Sequence, residues 1–168
     1  TKNTAAIMVE TIMGEGGIKV IPDWCLRELR KICDKKKITL IEDCSQAHGA
    51  VYKGKKVGSF GHISTWSFCQ DKIMSTGGEG GMISTKNEKI WLKCWSLKDH
   101  GKNYDSCFIK KHKTGFKWLH DSLGSNYRMT EMQAAIGREQ LKSLDKQIKK
   151  RNLIANLYLN GLKDYYQK

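Results

Sequence analysis

The stretch from Asp23 to Asp43 restricts the fold more than any other part of the chain. Cys25, Leu29, Ile32 and Cys33 recur at helical spacing behind Pro22 and Asp23, and Ile38 to Glu42 follows at once as a short apolar run. Together with the apolar run Ala5 to Val9 before the MGEGG turn, this reads strand, helix, strand. Such a unit builds a parallel sheet and leaves ligands at the carboxyl ends of its strands, which is where Asp43 falls. The fold class expected is therefore α/β.

Further along, YKGKKVGSFG reads as a polar hairpin, Ile63 to Phe68 as a strand that delivers Ser67, and Gly80 to Ser84 as another strand. Thr85 with Glu88 predicts a capping box for a helix that contains Trp91, Cys94 and Trp95. Gly101 to Asn126 lacks clean periodicity and reads as a long functional or assembly loop. Thr130 with Gln133 predicts a second capping box, followed by an amphipathic helix through Ala134, Gly137, Leu141, Leu144 and Ile148. A separate helix is expected over roughly Arg151 to Asn160, closed by Gly161.

A chain of 168 residues can bury one core. It has no apolar run of membrane-spanning length and no signal-peptide pattern at its start, so a cytoplasmic protein with no membrane partner is expected. Thirty Lys and Arg against 17 Asp and Glu give a net charge of +13. These cations are spread over turns (Lys53, Lys55, Lys56, and Lys110 to Lys113) and a helix face (Lys146, Lys149, Lys150, Arg151), with no nucleic-acid recognition motif, so no nucleic-acid partner is expected. The six cysteines form no CxxC pair and the five histidines no tight ligand spacing, so neither a metal site nor a disulfide framework is expected.

Two residues carry the candidate chemistry. Asp43 either forms a turn or helix cap, or stays ionised against a pyridinium nitrogen and strengthens the ring as an electron sink. Lys72 is either one more solvated lysine or, set between SFCQD and STGGEGG, an amine beside a glycine-lined anion site. Desolvation and neighbouring cationic character would then favour its nucleophilic form. Gln46, one turn beyond Asp43, is a polar surface group or a donor to a ring oxygen. GGEGG lacks the GKS or GKT ending of a nucleotide P-loop and does not fit GxGxxG.

The stretch IEDCSQAHGAVYKGKKVGSFGHISTWSFCQDKIMSTGGEGGMIST, with KDHGKNYD and SNYRMTEMQAAIGREQL after it, resembles the DegT/DnrJ/EryC1/StrS family of pyridoxal-phosphate-dependent sugar aminotransferases over about Lys37 to Arg151. The resemblance implies a segment of the aspartate-aminotransferase-like large domain (fold type I, three-layer α/β/α). Residues 1–129 would be its cofactor-binding part. Residues 130–168 would be a following helical segment, in the same domain or at the start of a connection to a small domain.

It also implies roles. Asp43 would pair with the pyridine nitrogen, Gln46 would contact the ring's oxygen side, Ser67 would bind phosphate and Lys72 would hold the cofactor aldehyde. Asn126 would reach the phosphate in the neighbouring subunit of a homodimer with shared sites. The implied activity moves an amino group, from glutamate, to a keto-sugar nucleotide, and basic side chains of the Lys110 to Lys117 loop are candidates to meet its diphosphate. Alternatives are a family-like dehydratase, in which histidine replaces the lysine, and a noncatalytic binding or assembly domain of the same fold. The sequence departs from the family's common pattern in having GGEGG where GEGG is usual, which predicts a turn one residue longer. Its first 36 residues look more like ornithine- and aminobutyrate-type aminotransferases, which share the fold.

Overall fold

The computed structural model describes residues 1–111 and 119–165. Four strands form the main sheet: β1 (Ala6–Val9), β4 (Thr39–Asp43), β7 (Ile63–Ser67) and β8 (Gly81–Thr85), in the spatial order β1-β4-β7-β8. β1 pairs with β4 and β4 with β7 in parallel, with Val9 opposite Glu42 and Asp43 opposite Thr65. β8 is antiparallel to β7, from Ile63 opposite Thr85 to Ser67 opposite Gly81. Two small hairpins, β2 (Ile12–Met13) with β3 (Lys19–Val20) and β5 (Val51–Tyr52) with β6 (Lys55–Lys56), project from the connections.

α1 (Asp23–Lys36) makes the crossover from β1 to β4 and packs on β4. Lys37 ends it in the left-handed region (φ 53°), so its N–H can return to the carbonyls of Cys33 and Asp34 and the chain can turn straight into the strand. The α/β class expected from the strand-helix-strand pattern is what the structure has. Among the described residues the buried apolar side chains are few, Cys33, Leu40, Cys44, Phe68 and Met74, and Ser64 and Thr76 are fully buried as well.

Three local expectations are corrected. The helix after β8, α2 (Glu88–Lys98), is capped by Asn87, whose side chain accepts from the Ile90 N–H; Thr85 instead donates its hydroxyl to the His62 carbonyl and accepts from the Asn87 N–H. Asn87 wins because it stands immediately before the first helical residue, whereas Thr85 is still paired in β8. The region expected as loop from Gly101 to Asn126 contains a short helix, α3 (Tyr104–Phe108), capped by Asn103 and buttressed by Tyr104 edge-on to Trp91 and Trp95. The two helices expected after Thr130 are one, α4 (Glu131–Gly161), because no proline or glycine interrupts the helical run between Ile148 and Arg151. The Thr130–Gln133 capping box is present as expected. Among the described residues no helix is long and apolar enough to cross a membrane.

Candidate active site

β4 and β7 run in parallel and end side by side, so the loops that leave them share one end of the sheet. Asp43 is the last residue of β4, and its Oδ1 accepts from the Ser45 backbone N–H (3.0 Å) and the Ser45 hydroxyl (2.6 Å). Asp43 thus forms a turn, the first of the two roles open to it from sequence, and the turn orients the carboxylate while leaving Oδ2 outside those two bonds. The Cys44 N–H donates to the Thr65 carbonyl of β7 (2.9 Å), which carries the strand pairing one residue past Asp43.

Ser67 is the last residue of β7, half-buried, with its hydroxyl oxygen accepting from the Cys69 N–H (3.3 Å). The chain then turns through Lys72, whose N–H donates to the Cys69 carbonyl. The Lys72 side chain is only 12% exposed, so the solvated-lysine reading does not hold; its Nζ lies 3.4 Å from Asp71 Oδ1. Asp71 also accepts from the Cys69 thiol (2.7 Å), and that bond holds its carboxyl below the usual range against desolvation, with the Lys72 charge adding to the lowering.

The glycine segment after Lys72 folds back on itself. Phe68 N–H donates to the Gly80 carbonyl, Thr76 N–H to the Phe68 carbonyl, and the buried Thr76 hydroxyl to the Glu79 carbonyl. Gly77 (φ 81°) and Gly78 (φ 139°) occupy backbone conformations that a side chain would strain, and a Cβ at Gly80 would collide with the Thr76 hydroxyl. α4 locks the loop from outside: Gln133 Nε2 donates to the Glu79 carbonyl (2.7 Å), and Gly137 brings the helix against the Thr76 methyl group. The small residues at the start of α4 thus serve the loop that follows Lys72.

Three groups that were not singled out from sequence complete the site. His48 is buried (5% exposed) between Trp66 (5.6 Å between ring centroids) and Phe68 (5.8 Å). Burial lowers its pKa below 6.5, a hydrogen bond to the Ser67 backbone works the other way, and the positive charge of Lys72 adds to the lowering, so the imidazole is neutral near neutrality. Cys44, fully buried beside Asp43, has its thiol pushed up to about 12 by desolvation and by the charges of Glu42 and Asp43. Cys44 therefore adds no thiolate beside Asp43 near neutrality. Glu42, buried on β4, accepts N–H bonds from Gly58 (2.9 Å), Phe60 (2.7 Å) and Gly61, which fixes the turn leading into β7. A buried carboxylate that binds backbone amides has no periodic signature, and only the fold reveals it.

Gln46 is exposed at the same end of the sheet, its side chain packed beside Gly14. A cavity of about 450 Å³ opens there, lined by Gln46, His48, Ile73, Ile148 and Arg151 among others. Asn126 does not join this cluster. It lies exposed in the segment that runs along the carboxyl end of α2, where its backbone pairs with Asp99 and its side-chain oxygen accepts from the Arg128 N–H (3.4 Å). The expected diphosphate contacts of the Lys110 to Lys117 loop fall largely on residues 112–118, outside the described residues.

A family model for "DegT/DnrJ/EryC1/StrS aminotransferase family" matches residues 1–168. The chain belongs to the DegT/DnrJ/EryC1/StrS aminotransferase family. The match takes in the opening 36 residues, so the family's pattern runs through the whole chain. The chain is 40% identical over 162 residues to a GDP-perosamine synthase of Vibrio cholerae, covering 96% of this chain and 39% of that protein. Among solved structures, an aminotransferase from Psychrobacter cryohalolentis superposes with a TM-score of 0.88 at 45% identity, covering 100% of this chain and 41% of that one. A GDP-4-keto-6-deoxy-D-mannose-3-dehydratase from E. coli, solved with bound hydrated PLP, superposes with a TM-score of 0.74 at 29% identity over 98% of this chain and 42% of that one. The chain thus spans about two-fifths of the length of these relatives, and its fold is that of the large domain of fold type I enzymes.

Proposed function

We propose that this chain carries the cofactor-binding core of a pyridoxal-phosphate-dependent aminotransferase that moves an amino group from glutamate to a keto-sugar nucleotide in the cytoplasm. The observation that carries this reading is the placement of Asp43 and Ser67 at the carboxyl ends of two adjacent parallel strands, with the largely buried Lys72 in the turn that follows Ser67. A carboxylate, a hydroxyl, a lysine amine and a glycine turn at one strand end fit the nitrogen, phosphate and aldehyde of that cofactor.

When bound, the cofactor supplies an electron sink for the electron pair of the donor's Cα–H bond. Asp43 Oδ2 would keep the pyridine nitrogen protonated, with Oδ1 held by Ser45 so that the carboxylate cannot rotate away. Ser67 would bind the phosphate and Gln46 the ring's oxygen side. Lys72 would hold the aldehyde, then, once released, move a proton between the donor's α carbon and the cofactor's C4′ carbon. Asp71 stands beside Lys72 Nζ as its ion-pair partner. Lysine at position 72 favours the aminotransferase over the dehydratase reading, in which histidine takes that place.

Asn126 would complete the site of a second copy in a homodimer. Its exposure, and that of Leu123 (93%) and Tyr127 (70%) beside it, suits a surface that another subunit covers. Borohydride reduction followed by peptide mapping tests the central assignment: the pyridoxyl mass is expected on Lys72 and absent from Lys72→Ala. A label on another lysine, or no visible absorbance band after reconstitution with pyridoxal phosphate, would refute it. Mixing Lys72→Ala with Asn126→Ala subunits tests the sharing, since only a mixed dimer can restore one intact site.

A further inference from the structure

Two segments far apart in sequence are tied into one unit at the carboxyl end of α2. Leu97 and Lys98 accept from the Ser125 and Tyr127 N–H groups (2.8 and 2.9 Å), and the His100 N–H donates to the Ser125 carbonyl (3.1 Å). Gly101 and Gly124 allow this approach: a Cβ on Gly101 would collide with the Ser122 carbonyl, and one on Gly124 with the Gly101 backbone. At the centre is Asp99, 8% exposed, whose Oδ1 meets Arg128 Nη1 at 2.9 Å and Lys102 Nζ at 3.0 Å. Its backbone pairs with Asn126, and the Arg128 N–H reaches back to the Asn126 side-chain oxygen. A buried carboxylate shared by two cations is a costly arrangement unless its bonds are well formed, and here it fixes Arg128, on the carboxyl side of Asn126.

We propose that Asp99 is a positioning residue which, through Arg128, sets the backbone and side chain of Asn126 for a pyridoxal phosphate held by the second copy of the chain. The proposal rests on the reading that Asn126 meets that phosphate, and it adds the device that presents it. Burial works against the charge on Asp99, but Lys102, Arg128 and Lys98 together outweigh it and hold the carboxyl below its usual range, so the tie is charged wherever the enzyme is folded near neutrality. Ser125 and Tyr127, bonded to the α2 carbonyls, keep the segment in place, while Asp99 governs its local pose.

The test measures pyridoxal phosphate dissociation constants by fluorescence titration, and the ³¹P resonance of the bound phosphate, in the assembled holoprotein carrying Asp99→Asn, Asn126→Ala or both. Each single variant is expected to weaken retention by about tenfold, the size of one lost charge-assisted contact, and to shift the phosphate resonance. The double variant is expected to be no weaker than Asn126→Ala alone, because Asp99 acts through Asn126. Losses that multiply in the double variant, or a wild-type constant and resonance in Asp99→Asn beside a clear loss in Asn126→Ala, would overturn the positioning role only. A wild-type constant in Asn126→Ala would overturn the phosphate reading and the proposal together. If Asp99→Asn does not fold, Arg128→Lys keeps the charge but not the guanidinium geometry; a smaller loss, again not additive with Asn126→Ala, is expected, and an additive one would overturn the proposal.

Discussion

Glu42 and Asp43 are neighbours on β4 whose carboxylates leave the strand for different tasks: Glu42 binds the amides of Gly58, Phe60 and Gly61, and Asp43 turns back to Ser45 at the strand end. Successive side chains of a strand point to opposite faces, so one residue of register separates the carboxylate that pins the turn before β7 from the one proposed to meet the cofactor. The strand's alternating burial, with Leu40 and Glu42 buried and Thr39, Ile41 and Asp43 half-buried, records the same division.

Glu42→Ala should lower stability by about 3 kcal/mol or more, because three backbone donors lose a buried charged acceptor. Glu42→Gln should cost less, about 1–2 kcal/mol, since one oxygen still accepts while the new NH₂ faces a donor. Urea denaturation monitored by tryptophan fluorescence checks both, and equal stability of all three proteins would refute the pinning role.

Asp43→Asn should fold like the parent, because Ser45 can still donate to the remaining side-chain oxygen. Single-turnover half-reactions with saturating cofactor should slow by about 10²-fold, the order expected when a preorganised charge at a reacting centre is lost. A thermal-stability loss with an unchanged rate would assign Asp43 to the turn alone.

His48 makes stability depend on pH in a defined direction. Its folded pKa lies below the unfolded value of 6.5, so the unfolded chain takes the proton first as pH falls. The contribution is complete above 6.5 and is lost as pH falls from there through the folded value. His48→Gln should flatten the stability profile in that window, seen as melting temperatures that no longer drop between pH 7 and mildly acid buffer.

Cys44 should resist alkylation in the folded protein. Its thiol is fully buried and its pKa is raised to about 12, so little thiolate exists at pH 8. Mass mapping after brief iodoacetamide treatment should find the half-buried Cys69 modified before Cys44. Rapid native labelling of Cys44 would contradict the packing around Asp43.

The features legible in the chain alone were local. The spacing of Cys25, Leu29, Ile32 and Cys33 specified α1, the run from Ile38 specified β4 with Asp43 at its end, and Thr130 with Gln133 specified the start of α4. Each depends on residues a few positions apart, whose spacing maps onto one helical turn or one strand face. The candidate residues Asp43, Ser67 and Lys72 were also nameable from motifs beside strand ends, and the fold places Asp43 and Ser67 at the ends of β4 and β7 with Lys72 in the turn that follows. The antiparallel placement of β8 was decided only in three dimensions, because a strand's pattern does not state its direction. Asp99 with Arg128, 29 positions apart, and Glu42 with the amides of residues 58–61 depend on where separate segments meet, and so does His48 between Trp66 and Phe68. Burial of a polar group is settled by the partners the fold brings to it, and those partners leave no mark at a fixed spacing in the chain.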